Sequence, residues 1–358
     1  MRPSTFAGRL TAVAALGLVL RAAYLYGPAR HVVGIGDWWF YHWQPGLIVN
    51  GHGFTDPWQL LATHRYRPSA AHPPLYSILL SGLYLLGGHG TLIQRSLGLA
   101  LGTITLVLVG LLGRRVGGER LGVLAALLYA VYPVMIAVDG DLMSEVLYGP
   151  LIAGMLLGAF ALHDRPTVRR AIVLGAVIGL AALTRTEALL FVPFLLLPVV
   201  WRAGGRRAVL AGAGMLACVV VIAPWLIRNE VAFGRFVLIS TNNQTVVAGA
   251  NCPQTYRGVN MGGWDITCIA PRTQGDEAAQ AAIWQHDGLS YAAHHLGRLP
   301  AVILLRELRV WDLWQPRRQA RTFAEGQQIG VAQAGVAAFW LFALVGIAGV
   351  LALRRRSP

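Results

Sequence analysis

The sequence predicts an all-α polytopic membrane protein, and three observations predict it. Of the 358 residues, 55% are hydrophobic and only 13% are charged, whereas a soluble domain carries about 25% charged residues. Several apolar runs reach or approach the roughly 20 residues that a membrane-spanning helix needs. The net charge is +14 and the chain has no Lys, yet the Arg residues gather in short segments between the apolar runs. That distribution is the mark of membrane orientation, so membrane lipid is an expected partner and nucleic acid is not. The Lys-free, Ala- and Arg-rich usage points to a bacterium of high genomic GC content.

Eight spans are expected, at about 8–26, 92–113, 119–138, 142–162, 170–184, 187–201, 207–227 and 331–353. The first run, with Arg2 and Arg9 near its start, has the outline of a signal peptide. No small-residue cleavage site follows, because Arg21, Tyr24 and Tyr26 come next; an uncleaved span is expected. The segments "GRRVGGER" (113–120), "HDRPTVRR" (163–170), "WRAGGRR" (201–207) and the terminal "RRRSP" are all Arg-rich. With eight spans and a cytoplasmic N-terminus, all four fall on the cytoplasmic side. This threading places both termini in the cytoplasm of a bacterial cell, in a multi-pass cytoplasmic-membrane protein. It holds only if "LYSILLSGLYLLGG" (75–88) does not cross, and its length suits an interfacial helix better than a span.

The expected organisation is a transmembrane module over 1–227 with a first outer loop at 27–91. A large extracytoplasmic loop element follows at 228–330, with helical stretches near 276–296 and 300–314. Residues 331–358 supply the last span and a basic cytoplasmic tail. The expected spans are nearly free of ionisable groups, which argues against an ion-coupled transporter, and no internal repeat suggests a repeat-built one. Acids and His residues collect at the outer boundary instead, so an extracytoplasmic active site is expected. No P-loop, dinucleotide fingerprint, zinc-protease helix or serine elbow is present.

Four segments carry the candidate chemistry. In "GIGDWWFYHW" (34–43), Asp37 stands among aromatics; Trp38 and Tyr41 serve either an interfacial belt or a platform for sugar rings. Asp37 reads as a turn former or as a base, with Gly34 and Gly36 permitting a tight backbone path before it. In "RYRPSAAHPPLY" (65–76), Pro73 and Pro74 open the interfacial helix, and Arg65, Arg67 and His72 could hold a phosphate. In "DGDLMSEVLY" (139–148), Asp141 and Glu145 are four apart, which places both on one helix face; two acids beside lipid are costly unless they face a polar cavity. In "LTRTEALL" (183–190), Arg185 and Glu187 read first as a local ion pair and second as a phosphate contact. Cys252 and Cys268 share one polar loop and could pair in an oxidising compartment; Cys218 lies in an apolar run and reads as packing.

Taken together, these segments resemble the integral-membrane GT-C glycosyltransferases, in the branch holding protein O-mannosyltransferases and bacterial lipid A aminoarabinose transferases. The likeness rests on the acid with aromatics in the first outer loop, "HPPLY", "LMSEVLY" and "LTRTEALLFVPF". It extends through "APWLIRNEVAFGRFVLISTNNQTVVAGANC", which is similar to family 39-like transferases, and covers about residues 8–270 in order. The resemblance implies a GT-C-like helical bundle and a sugar donor carried on a polyprenyl phosphate. It also implies inverting transfer to a lipid, glycan or protein acceptor at the outer membrane face. Asp37 takes the position of the first-loop acid, as base or acceptor-orienting group. His72 takes that of the basic residue before the Pro-Pro pair, and Asp141 or Glu145 that of the second outer acid.

The mechanism so implied has Asp37 receive the acceptor's proton, with Arg65, Arg67, His72 or Arg228 balancing the phosphate leaving group. The wider superfamily includes enzymes that bind a divalent metal, but no ligand cluster in this sequence demands a cofactor. Two features depart from the pattern. His72 stands where Lys is common, and an ordinary His loses its charge above about pH 6.5. One span follows the large loop, where many relatives carry several. The competing reading is a non-catalytic protein that binds or translocates lipid-linked glycans.

Overall fold

The computed structural model describes residues 5–269, 275–319 and 328–354; Arg2 and residues 355–358 of the basic tail lie outside them. Among the described residues there is no strand, only an isolated antiparallel bridge between Thr55 and Pro68. Five helices are long and apolar enough to cross a membrane: Phe6–Tyr26, Thr91–Val131, Glu145–Asp164, Gly204–Phe233 and Ile329–Gly349. These cover six of the eight expected spans, because the second contains two of them. The expected spans at 170–184 and 187–201 are helical but shorter than that length. The chain gathers into two compact units interleaved in sequence, one of residues 1–38, 95–146 and 315–358, the other of 39–94 and 147–314.

In the first unit, α1 (Phe6–Tyr26) starts at Thr5, whose hydroxyl accepts from Gly8 N–H and so satisfies one of the amides orphaned at a helix start. Helix α2 (Asp37–Leu47) begins here, and its residues from Trp39 onward belong to the second unit. Two short helices, α3 (Pro57–Thr63) and α4 (Leu75–Leu85), also lie in the second unit. Helix α5 (Thr91–Val131) is 41 residues of continuous assignment broken by non-helical backbone at Gly117 and Gly118. Gly118 has φ +81°, a conformation that costs a side-chain-bearing residue dearly. The helix therefore folds back where the charged "GRRVGGER" segment lies. Phe6 and Leu10 of α1 pack with Leu106, Ala126 and Ala130 of α5 in a buried cluster.

Pro133 lacks the amide a helix interior needs, and α6 (Pro133–Asp139) starts afresh there. Helix α7 (Glu145–Asp164) begins after a five-residue connection. Farther along the chain, α14 (Pro316–Gln319) and α15 (Ile329–Arg354) complete the first unit. The Phe342 ring of α15 lies edge-on to Tyr132, and Gln328 donates to the Pro28 carbonyl at 3.0 Å.

The second unit is centred on α7, α8 (Val168–Ala182) and α10 (Arg207–Phe233), with α9 (Leu197–Trp201) between the last two. Met155, Leu162, Leu174, Ile178, Ile222 and Trp225 form its apolar core, and Ala70 of the first loop joins it. Ile227, Val219 and Val220 of α10 are largely exposed, the pattern expected of lipid-facing side chains. Helix α4 shows the same division: Tyr76, Ser77, Leu80 and Ser81 are buried while Ile78, Leu79 and Leu85 are exposed.

The large loop folds into α11 (Asn242–Ala250), α12 (Glu277–His294) and α13 (Leu299–Val310). Tyr256, wholly buried, and the Arg side chains of α13 organise it. Arg309 donates to the Met261 carbonyl at 3.0 Å, and Arg306 to the carbonyl of Ala250. The sulfurs of Cys252 and Cys268 are bonded at 2.08 Å, and Cys218 is a buried free thiol in α10.

Candidate active site

The first unit holds the candidate acids Asp37, Asp141 and Glu145. Gly36, at φ +57°, turns the chain into α2, and Asp37 is that helix's first residue. An acid at this place is favoured by the helix's exposed amides, so a structural contribution accompanies any chemical one. A Cβ on Gly34 would come within 2.4 Å of the Trp38 ring; glycine there lets the indole lie flat against the backbone. Trp38 is 2% exposed, and its indole N–H donates to the Asp141 carboxylate. The residue after the candidate base thus holds the second candidate acid.

Asp141 lies in the α6–α7 connection rather than in a helix. Its Oδ1 accepts from its neighbour Leu142 N–H at 2.8 Å, the local turn that a short Asp side chain favours. Arg95 fixes the connection, donating from Nε to the Gly140 carbonyl at 2.7 Å and from an outer nitrogen to the Ala29 carbonyl at 3.0 Å. Burial pushes the Asp141 carboxyl up to about 6, while the Leu142 amide, Arg95 and the Trp38 indole act in the lowering direction. The expectation that Asp141 and Glu145 share a helix face is corrected here. Gly140 ends α6, and Glu145 is the first residue of α7, so the i, i+4 spacing spans a turn and a helix start.

One interaction in this unit escaped the sequence reading. Arg21 of α1, wholly buried, donates from Nε to Asp139 Oδ2 at 2.7 Å and from an outer nitrogen to the Gly17 carbonyl at 3.1 Å. The Asp139 carboxylate lies against Gly102, where a Cβ would approach within 2.1 Å of Oδ2. The available signal was a lone Arg inside the first apolar run and a lone Asp ending the third; each alone looked incidental.

The second unit holds the basic candidates. His72 sits against the rings of Phe40 and Tyr41, with centroids at 4.5 and 5.2 Å, directly before Pro73 and Pro74. Tyr41, 2% exposed, also meets Tyr76 edge-on. Trp38 and Tyr41 are therefore not open platforms: their faces are covered by protein, which corrects their assignment as walls for a sugar ring. Trp39 and Trp43 are only half-buried and stack at 5.0 Å.

Arg65 and Arg67 are exposed. Arg185 pairs with Glu187 at 2.6 Å, the local ion pair read first from the sequence. Arg228 is committed to the fold: it donates to the carbonyls of Ser69 and Phe54, each at 2.8 Å, and lies over the Trp225 ring. These bonds tie Arg228 to the loop that carries Phe54 and Ser69.

Glu277, at the first position of α12, is the other functional candidate that the sequence reading missed. Its Oε1 accepts from Ala70 N–H at 2.8 Å and from the Thr241 hydroxyl at 2.6 Å. Burial raises its carboxyl above the ordinary range. Its only signal in the sequence was an Asp-Glu start to a helix, which reads as simple capping. Among the described residues no three His, Cys, Asp or Glu side chains come together as a metal-binding group.

With this geometry in hand, the comparisons with known proteins bear on both the fold and the segment order. Residues 71–227 match the family model for dolichyl-phosphate-mannose-protein mannosyltransferases, a stretch that contains His72, Asp141, Glu145 and Arg185. No curated protein matches the chain in sequence. Among solved structures, an oligosaccharyltransferase of Archaeoglobus fulgidus is similar at TM-score 0.50 and 13% identity, over 96% of this chain. That structure was determined with a tethered acceptor peptide containing an NVT sequon. The chain spans 38% of the length of that protein, and at this identity the likeness speaks for the fold. Both findings agree with the resemblance to GT-C glycosyltransferases and with a helical membrane-protein fold.

Proposed function

We propose that the chain is a membrane glycosyltransferase that moves a sugar from a polyprenyl-phosphate carrier to an acceptor hydroxyl, with inversion, at the outer face of the cytoplasmic membrane. The observation that carries this reading is the mannosyltransferase-family match across 71–227 in a chain of GT-C-like fold. The Arg-rich segments support a topology with both termini in the cytoplasm.

In the proposed reaction Asp37 accepts the proton of the acceptor hydroxyl as its oxygen attacks the anomeric carbon. The bond from that carbon to the phosphate oxygen breaks, and the electron pair leaves with the polyprenyl phosphate. Arg65 and His72 are assigned the phosphate charge, from the chemistry of their side chains and their place in the segment that leads to the Pro-Pro pair. Asp141, held by neutral donors, is assigned the second acidic role, orienting the acceptor or the reacting sugar. These roles rest on the chemistry of each side chain and on the order of the family's motifs.

The test is transfer from radiolabelled polyprenyl-phosphate sugars by the purified protein in lipid nanodiscs. Asp37→Asn should lower the rate by about 10²-fold or more, the loss typical of a removed general base, with a melting temperature lowered only slightly by the loss of an acid at a helix start. Full activity in that variant would remove Asp37 from the mechanism. Mass spectrometry of co-purified lipid identifies the carrier, and recovery of an isoprenoid phosphate is the expected result.

A further inference from the structure

A cavity of about 410 Å³ opens in the second unit beside the first outer loop, within the roughly 300–1,000 Å³ of small-molecule sites. Its walls come from three places in the chain: the Asp56–Ala71 region, the end of α10 with the start of α11, and the first three turns of α12. Two buried polar atoms belong to residues that line it. The Trp284 indole Nε1 has no acceptor among the described residues, and neither does Glu277 Oε2 have a donor. Leaving either group buried and unpaired is costly, so a ligand that supplies one acceptor and one donor would relieve both.

The lining decides the class of ligand. Asp56, Asp276 and Glu277 bring three carboxyl groups, against the single cation of Arg67. That balance disfavours an anionic headgroup such as polyprenyl phosphate. The rings of Trp58 and Trp284 also line the cavity, and Trp58 is 44% exposed. Flat apolar rings beside closely spaced donors and acceptors suit a ligand with C–H faces and a rim of hydroxyls. The fixed parts of the wall are well held: Asp56 caps α3 by accepting from Trp58 and Gln59 N–H, and Asp276 caps α12 by accepting from Ala279 N–H. Glu277 accepts from Ala70 N–H and the Thr241 hydroxyl through Oε1, and the Ser69 hydroxyl also engages its carboxylate; Oε2, unpartnered among the described residues, is the oxygen offered to a ligand hydroxyl.

We propose that this cavity binds a neutral sugar ring of a glycan acceptor, with Trp284 N–H donating to a ring or hydroxyl oxygen and Glu277 Oε2 accepting from a hydroxyl. The proposal rests on the glycosyltransferase reading above and narrows its acceptor to a saccharide. A peptide acceptor is the competing outcome.

The experiment is saturation-transfer NMR on the full chain in nanodiscs, with methyl glycosides of mannose, galactose and arabinose and with a short Ser/Thr peptide as probes. At least one glycoside should bind saturably. Trp284→Phe, which keeps the ring and removes the N–H, should weaken that binding about 10-fold. Glu277→Gln, which keeps the oxygen that holds Ala70 and Thr241, should weaken it similarly. Binding of the peptide with no glycoside, or glycoside binding indifferent to both variants, would overturn the proposal. Polyprenyl-phosphate binding is measured on the same preparation. Carrier binding with no glycoside binding refutes the cavity alone; glycoside binding with no transfer from any carrier-linked sugar refutes the enzymatic reading and leaves the cavity standing.

Discussion

Asp139, the last residue of α6, and Asp141, in the connection after it, are both pushed up to about 6 by burial, yet the protein holds them with different partners. Asp139 meets the buried guanidinium of Arg21 at 2.7 Å, a charge held against a charge. Asp141 is held by an indole N–H and by its neighbour's backbone amide, with Arg95 engaging the surrounding carbonyls. A carboxylate neutralised by a directly bonded cation is a poor base; one held by neutral donors keeps its reactivity. On the proposed mechanism the first acid serves architecture and the second serves chemistry.

The largest effect expected from breaking this comparison is at Asp139. Asp139→Ala leaves the Arg21 cation buried without its partner, and breaking a buried pair costs about 3–5 kcal/mol. The variant should show a sharply lowered melting temperature in detergent, or fail to accumulate at all. Replacing both members by apolar residues, Arg21→Met with Asp139→Leu, should recover much of the loss, because no lone charge remains. If the single variant melts like the parent, the architectural reading of this pair is wrong.

Asp141→Asn should do the reverse. The amide keeps an oxygen for Leu142 N–H and removes a buried charge, so the melting temperature at neutral pH should hold or rise. Transfer activity should fall by about 10²-fold if this carboxylate serves proton transfer or charge stabilisation. A variant of normal activity would return Asp141 to the class of turn formers.

How far these roles were legible in the sequence follows from what each residue depends on. The helical membrane class was readable because it needs only apolar run length and charge placement. The start of α4 after Pro73 and Pro74 was readable because proline acts locally. The Arg21–Asp139 pair was not, since the partners lie 118 positions apart and neither spacing nor periodicity joins them. The helix-face inference for Asp141 and Glu145 failed because Gly140 and the Asp141 side chain stop α6 and make a turn there. Trp38 and Tyr41 were marked as platforms because aromatic content is visible in a sequence while burial is not. Glu277 was invisible for the same reason as the Arg21–Asp139 pair: its partner amide belongs to Ala70, 207 positions away.

The smallest effect is the most discriminating, because one titration should move two observables in opposite directions. The Asp141 carboxyl rises from 3.8 to about 6, chiefly through burial. Between those values the folded protein binds the proton more tightly than the unfolded chain does, so stability falls as pH rises from about 4 to 6 and is level above. Activity that needs the carboxylate should climb across that same interval. Melting temperature and rate, measured from pH 4 to 7.5, should therefore show opposed slopes; Asp141→Asn should flatten the activity limb and only lessen the stability slope, because burial also raises Asp139 to about 6 and lifts Glu277. Trp38→Phe removes a donor to the charged form, so it should shift the activity limb upward by less than about one pH unit. An activity limb that persists unshifted in Asp141→Asn would assign that titration to another group and leave Asp141, like Asp139, as architecture.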